Sequence, residues 1–268
     1  MIKIILSDID GTFLKNDKTP TELTAKAAKS VVAQGLKFVF VSARMPEAIY
    51  PITDAIAMAH TPVISYGGGL VLTEDEQIIF DKKISLDDAK NILAVMKESW
   101  QDISVNYYAG RRWFVESVDE RIEHEIKITK ATAQIHSFDN LLAENILPNK
   151  IMIICNPPTC KDMESQLGKK FPALNVVRSA PHLLEITDKS ISKATGIEIL
   201  LKHYGFTLDD AIAFGDNYND VEMLQLIPQS VAMGNAPDDV KKLAHAVTDS
   251  NEDSGIYTYL VKIGVIKP

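Results

Sequence analysis

The chain has 268 residues, with 28 Lys plus Arg against 36 Asp plus Glu, a formal net charge of −8, 46% hydrophobic residues and 24% charged ones. That composition excludes a disordered or collagen-like chain and gives room for one large domain or two moderate ones with a real core. The negative balance repels phosphate backbones and anionic lipid, so no nucleic acid and no membrane is expected as a partner, and an anionic substrate has to be drawn in by local positive groups or a metal.

Ile2–Ser7 is apolar and β-branched on nearly every position, which predicts a strand buried on both faces in a parallel sheet. It stops at Asp8 and Asp10, acids that no signal-peptide core would carry, and no apolar run reaches the roughly 18–20 residues of a membrane span. A cytoplasmic monomer or weak homodimer is expected. Thr21 can cap a helix through about Gln34, with Leu23, Ala27, Val31 and Val32 at helical spacing and Gly35 as its stop. Leu36–Val41 reads as a second buried strand ending at Ser42, Glu47–Met58 as a helix, and Pro62–Ser65 as a third strand. Gly67–Gly69 then opens a hairpin from Leu70–Thr73 to Ile78–Phe80. Strand alternating with helix predicts a doubly wound, mainly parallel, Rossmann-like α/β sheet.

The rhythm changes near Asp81. Ser85 with Asp88 predicts a capped helix Leu86–Glu98, followed by an antiparallel hairpin of Ile103–Tyr108 and Arg111–Glu116 and a charged helix Asp119–Lys130. Lys150–Cys155 reads as a strand, Thr159–Lys170 as a helix, and Asn175–Ser179 and Leu183–Thr187 as strands, so the middle third is α+β. Cys155 and Cys160 are too few for a disulfide framework and lack CxxC spacing; they are expected as a strand thiol and a loop thiol. The first rhythm resumes with helix Ser192–Tyr204, strand Ala211–Gly215, helix Asp220–Ile227, strand Ser230–Met233, helix Pro237–Ala244 and strand Ala246–Thr248. The expected organisation is a core of residues 1–82 and 188–268 with an inserted α+β cap at 83–187.

Residues two apart on a strand share a side, so Asp8 and Asp10 would leave the end of the first strand together. Ligands bind at that carboxyl edge of open parallel sheets. Two such close acids repel unless a cation sits between them, and magnesium is the hard, oxygen-seeking ion expected. A plain Asp-Gly turn is the alternative for Asp8–Thr12, and a calcium loop fits poorly because its twelfth position is Thr19. Three other junctions carry complementary chemistry: the hydroxyl of Ser42, the ammonium of Lys193 at a helix start, and the acids Asp216 and Asp220. Each alone could be a turn residue, a solvated charge or a helix cap. Four such coincidences at four strand-to-helix junctions favour a phosphate site. The six histidines, His60, His124, His136, His182, His203 and His245, show no ligand spacing and are expected as surface or packing residues.

Asp8-Ile-Asp-Gly-Thr12, Ser42, Lys193 and Gly215-Asp-Asn-Tyr-Asn-Asp220, with Met233–Pro237 and Ser250–Gly255, resemble the haloacid dehalogenase-like phosphatases, in particular their Cof-type branch with a large α+β cap. The resemblance covers essentially the whole chain. It implies Asp8 as the nucleophile that becomes an aspartyl phosphate, Asp10 as general acid and base, and Ser42 and Lys193 on the phosphoryl oxygens. It places Mg2+ on Asp8, the Asp10 carbonyl and Asp216, supported by Asn219 and Asp220. Substrate contacts are expected from Thr12, Arg44, Tyr66, Gly67 and Asn219, and from Arg111 and Arg112 of the cap.

Three positions depart from the branch: Ser42-Ala43-Arg44 for Thr-Gly-Arg, Tyr66-Gly67 for Asn-Gly, and Phe13 for Leu. The implied function is a magnesium-dependent phosphatase of a small phosphorylated metabolite, a sugar phosphate being favoured. The alternatives are a phosphomutase using the same aspartyl phosphate and a non-catalytic phospho-ligand-binding or signalling module. The signalling case lacks an acid at Pro62–Ser65 to receive the phosphate. Specificity is expected from the cap, placed to close over the sheet edge, whose hairpin carries Tyr107, Tyr108, Arg111, Arg112 and Trp113. Equally, Tyr107 and Trp113 could fill the cap's own core while both arginines are solvated.

Overall fold

In the computed structural model, which describes residues 1–58 and 61–268, the chain divides into two compact units. One comprises Met1–Arg44, Ile49–Phe80 and Ser192–Pro268, and the other Met45–Ala48 and Asp81–Ile191. The second unit thus runs from 81 to 191 rather than from 83 to 187, and also takes in a four-residue piece of the first third. His60 lies outside the described residues.

The first unit begins with β1 (Ile4–Ser7), α1 (Glu22–Ala33), β2 (Lys37–Val41), the short α2 (Tyr50–Ala55), β3 (Val63–Ser65), β4 (Leu70–Leu72) and β5 (Ile78–Asp81). All four residues of β1 are buried, as a strand covered on both faces requires. The Thr21 hydroxyl accepts the Thr24 N–H at 3.0 Å and starts α1. The stripe that α1 buries is Thr24, Ala27, Ala28 and Val31, whereas Leu23 and Val32 are exposed. Small alanines let the helix lie close to the sheet, so the larger side chains stay outside. The expected helix 47–58 is broken into a 3-10 turn, Pro46–Ala48, and α2. Pro46 and Pro51 have no N–H to donate, and neither fits inside a continuous helix. Phe13 packs edge-on against Phe38 and Phe40, with ring centroids 5.7 and 4.8 Å away.

The second unit contains α3 (Leu86–Ser99), β6 (Ser104–Ala109), β7 (Arg112–Val115), α4 (Glu120–Thr129), β8 (Ala133–Ile135), α5 (Phe138–Ala143), β9 (Lys150–Ile154), α6 (Pro157–Lys170), β10 (Leu174–Ala180) and β11 (Leu183–Asp188). Its six strands run in the order β10-β11-β9-β6-β7-β8. Tyr107, Phe114, Ile151, Ile153, Leu184 and Ile186 share one core with Ile92 and Met96 of α3, Leu141 of α5, and Met163 and Leu167 of α6. The register pairs Tyr107 with Phe114 and Tyr108 with Trp113. Tyr107 therefore enters that core, but Trp113 lies on the opposite face, stacked on Tyr108 and donating its indole N–H to Asn106 Oδ1 at 2.9 Å.

The two cysteines are corrected by the structure: Cys155 and Cys160 form a disulfide, with Cα atoms 5.9 Å apart. Cys160 sits in α6 rather than in a loop. The Asn156 cap and Pro157 fold the first turn of α6 back over the end of β9, and this brings the two sulfurs together.

The chain then completes the first unit with α7 (Lys193–Tyr204), β12 (Ala211–Gly215), α8 (Val221–Leu226), β13 (Gln229–Ala232), α9 (Asp238–Lys241), β14 (Ala246–Val247) and α10 (Gly255–Lys262). The eight strands are ordered β14-β13-β12-β1-β2-β3-β4-β5. The β14-to-β3 pairings are parallel and β4 returns antiparallel to β3. On either side of β1, Ser7 is paired with Phe40 of β2 and Phe214 of β12. The residues following those three strands consequently emerge side by side at one carboxyl edge. Among the described residues, no helix is long and apolar enough to cross a membrane.

Candidate active site

Asp8 leaves the end of β1 with its N–H still paired to the Phe214 carbonyl at 3.0 Å. Across the edge, Lys193 opens α7, whose N-cap Ser192 accepts the Thr195 N–H. Gly68 permits that approach: at φ +108 it lies so close to Ser192 that a Cβ would stand 1.9 Å from the Ser192 carbonyl oxygen. Lys193 is buried and donates to Asp8 Oδ1 and, at 2.5 Å, to Asp220 Oδ1. The other Asp220 oxygen accepts the N–H groups of Asp216 and Asn217 at 2.9 and 3.1 Å, which shapes the turn after β12.

Asp216 completes the acid cluster, with Thr12 donating its hydroxyl to Oδ1 at 2.8 Å. One oxygen from each of Asp8, Asp216 and Asp220 lies within 4.8 Å of the other two. Burial raises the Asp8 carboxyl well above its usual range, against the opposing pull of Lys193, and the neighbouring Asp220 adds to the rise. Burial likewise pushes Asp216 up to about 6, opposed by the Thr12 hydrogen bond. Three buried carboxylates around one ammonium are short of positive charge, and an all-oxygen donor set suits a hard divalent cation. The residues fit magnesium.

Asp10 points into different company. Arg44 donates Nε to Oδ2 and Nη2 to Oδ1, both at 2.8 Å, and Lys18 donates to Oδ1 at 2.9 Å. Burial works to raise the Asp10 carboxyl, but the Arg44 and Lys18 charges outweigh it and hold it down at about 2. The Asp10 carboxylate is thus outside the acid cluster expected to hold metal, and only its main chain remains for that purpose. Ser42 is buried, its hydroxyl accepting the Arg44 N–H at 3.2 Å. The segment after β3 clasps this turn: Tyr66 N–H donates to the Arg44 carbonyl at 3.2 Å and Gly67 N–H to that of Ser42 at 2.9 Å. Tyr66 is buried and takes a left-handed φ of 53°.

Asp8, Asp10, Thr12, Ser42, Arg44, Tyr66, Gly67, Lys193, Asp216 and Asp220 therefore meet at one sheet edge. The Thr12 hydroxyl, expected on substrate, is committed to Asp216. Asn219 is exposed. Arg111 and Arg112 belong to the other unit, Arg111 paired with Glu47 Oε1 at 2.6 Å and Arg112 exposed with its guanidinium 5.0 Å from the Phe114 ring centre. Of the described histidines, His136 is half-buried and the others are exposed. Lys18 escaped sequence reasoning, and Asn235 lies in the Met233–Pro237 segment that carries the resemblance but was given no role there. Lys18 occupies a tight turn closed by Asp17 and Thr19 and could have been suspected only as a cation eight residues from Asp10.

The sequence pattern of the haloacid dehalogenase-like hydrolases matches residues 5–260, and the chain belongs to that enzyme family. A Haemophilus influenzae protein provisionally named as a phosphatase is 33% identical over 257 residues, which is 96% of each chain. Among solved structures, a Thermotoga maritima protein superposes with a TM-score of 0.87 at 25% identity, over 98% of this chain and 97% of that one. A protein described as a subclass IIB sugar phosphatase shares the fold, with a TM-score of 0.83 at 23% identity over 98% and 100% of the two chains.

Proposed function

We propose that this enzyme is a magnesium-dependent phosphatase that hydrolyses a small phosphorylated metabolite, in the first instance a sugar phosphate, through an aspartyl phosphate on Asp8. The observation that carries the reading is the buried Lys193, bonded to Asp8 and Asp220, with Asp216 beside them. The provisional phosphatase name of the Haemophilus influenzae relative supports it, and the sugar phosphatase of like fold suggests the substrate class.

In this reading Asp8 attacks the phosphorus atom, the bond from phosphorus to the leaving oxygen breaks, and that oxygen takes a proton from Asp10. Water then attacks the aspartyl phosphate, Asp10 accepts its proton, and the bond from phosphorus to Asp8 breaks to release inorganic phosphate. Ser42 and Lys193 hold phosphoryl oxygens while charge spreads over them. Magnesium would be held by Asp8, Asp216 and the Asp10 carbonyl with Asp220 in support, and it supplies positive charge that lets a carboxylate approach a phosphate. Held by Arg44 and Lys18, Asp10 is in its base form. To act as the acid it has to gain a proton while the Arg44 fork keeps it oriented.

These core groups recognise a phosphoryl group and nothing more specific. Discrimination among substrates is accordingly assigned to the inserted unit. The test is release of phosphate from p-nitrophenyl phosphate and a panel of sugar phosphates, with magnesium and with chelator. Wild type is expected to turn over only with the metal and Asp8→Asn, which keeps the shape but is a poor nucleophile, not at all. Full activity after chelation, or in the variant, contradicts the reading.

A further inference from the structure

The loop after β13 makes contacts that the reaction just described does not use. Met233 N–H donates to the carbonyl of Gly215, the residue before Asp216, at 2.9 Å, and Gly234 N–H donates to the Asp249 carbonyl at 3.0 Å. Asn235 is thereby set beside the acid cluster. Its side-chain nitrogen donates to the Gly11 carbonyl at 2.9 Å and, more weakly, reaches Asp216 Oδ2 at 3.4 Å, while its side-chain oxygen accepts the Asn251 N–H at 3.1 Å. The orientation of this amide is determined by its partners. Two acceptors stand on one side and a donor on the other, so a flipped amide would lose all three contacts.

Asp216 is consequently held at both oxygens, Oδ1 by the Thr12 hydroxyl and Oδ2 by the Asn235 amide. Gly11 is part of the same fitting. At φ +86 it runs so near that a Cβ would lie 2.3 Å from Asp216 Oδ2, and the Asn235 bond to its carbonyl fixes that close approach. The Asn251 group that holds Asn235 is its main-chain N–H; its buried side chain donates elsewhere, to the Leu14 carbonyl at 2.9 Å.

We propose that Asn235 is a positioning residue for the metal-binding carboxylate: by bracing Asp216 and Gly11 together it sets the affinity of the cluster for a divalent cation without touching the cation. This rests on the magnesium reading above. Groups that orient a metal ligand typically contribute 10–100-fold to affinity, and an exposed amide at 3.4 Å belongs at the lower end, about 10-fold.

The test is binding of Mn2+, followed by the electron paramagnetic resonance of the free ion, to the full chain and its variants, with melting curves in chelator as a check on folding. Asn235→Ala is expected to bind Mn2+ about 10-fold more weakly while melting close to wild type, and Asn235→Ser, which keeps one donor, to fall between. Asn251→Ala, which frees the loop from Leu14 but leaves both Asn235 donations, is expected to bind like wild type. Unchanged affinity in Asn235→Ala, or an equal loss in Asn251→Ala, overturns the positioning role alone, provided that wild type binds Mn2+ and Asp216→Asn does not. If wild type binds no Mn2+, or Asp216→Asn still binds it, the metal reading falls and this inference with it.

Discussion

Arg44 grips Asp10 through two parallel hydrogen bonds, Nε to one carboxylate oxygen and Nη2 to the other, each 2.8 Å long. Such a fork fixes orientation as well as charge, and lysine cannot reproduce it. Arg44→Lys is therefore expected to impair the proton transfers assigned to Asp10 while preserving the local charge. General acid help is worth about 10²–10⁴-fold for a leaving group that needs a proton, so kcat/KM should fall by at least about 10-fold for an alkyl phosphate. With p-nitrophenyl phosphate, whose leaving group departs unprotonated, kcat/KM should fall much less. Equal losses on both substrates would remove Arg44 from the control of Asp10.

The acid cluster predicts a link between magnesium and pH. Asp216 in the folded, metal-free protein has a carboxyl pushed up to about 6, so between the usual carboxylate range and that value the native state holds a proton that the unfolded chain has lost. Its contribution to stability is therefore present at low pH, declines as pH rises towards about 6, and stays lost above it. Magnesium competes with that proton. The rise in melting temperature on adding magnesium is expected to be small near pH 5 and full near pH 7.5, as linkage requires, and to be absent in Asp216→Asn. The same rise at both pH values would contradict the assignment.

The disulfide gives a prediction for the inserted unit. Cross-linking residues five apart restricts the unfolded chain by about 2 kcal/mol on the loop-entropy account. Reductant, or Cys155→Ala with Cys160→Ala, should lower the melting temperature of the transition in that unit by several degrees. Thiol labelling of the unfolded, unreduced protein would show two free thiols if the bond were absent.

If the inserted unit sets specificity as proposed, Arg111 and Arg112 are the residues to change. Arg111→Ala and Arg112→Ala are expected to alter the ranking of phosphorylated sugars, nucleotides and cofactors while leaving hydrolysis of p-nitrophenyl phosphate nearly intact. An unchanged ranking across the panel would move specificity away from this hairpin.

The catalytic edge was legible because β1 and β12 are apolar until they end, and the acids that follow stand out against that background. The pairing of Lys193 with Asp8, 185 residues away, was foreseeable only through strand alternation and the family pattern. What remained hidden depended on tertiary contact. β8 and α5 are too short to show a period, and the polar turn ahead of α10 masks its start. Trp113 went to the opposite face from Tyr107 because hairpin register, set by the two-residue turn Gly110–Arg111, decides which partner each residue faces. Asn235 bonds to Gly11, 224 residues distant, and although both lie in segments that carry the resemblance, neither segment shows by itself that the two meet.

Asp8 is proposed to carry the phosphoryl group during turnover. Mixing enzyme, magnesium and a good substrate, quenching in acid within the first turnover and weighing the peptides tests it most directly. A fraction of the peptide containing Asp8 is expected to be heavier by one phosphoryl group, with no such species from Asp8→Asn or in chelator. A phosphoryl group on another residue, or steady turnover in Asp8→Asn, would contradict it.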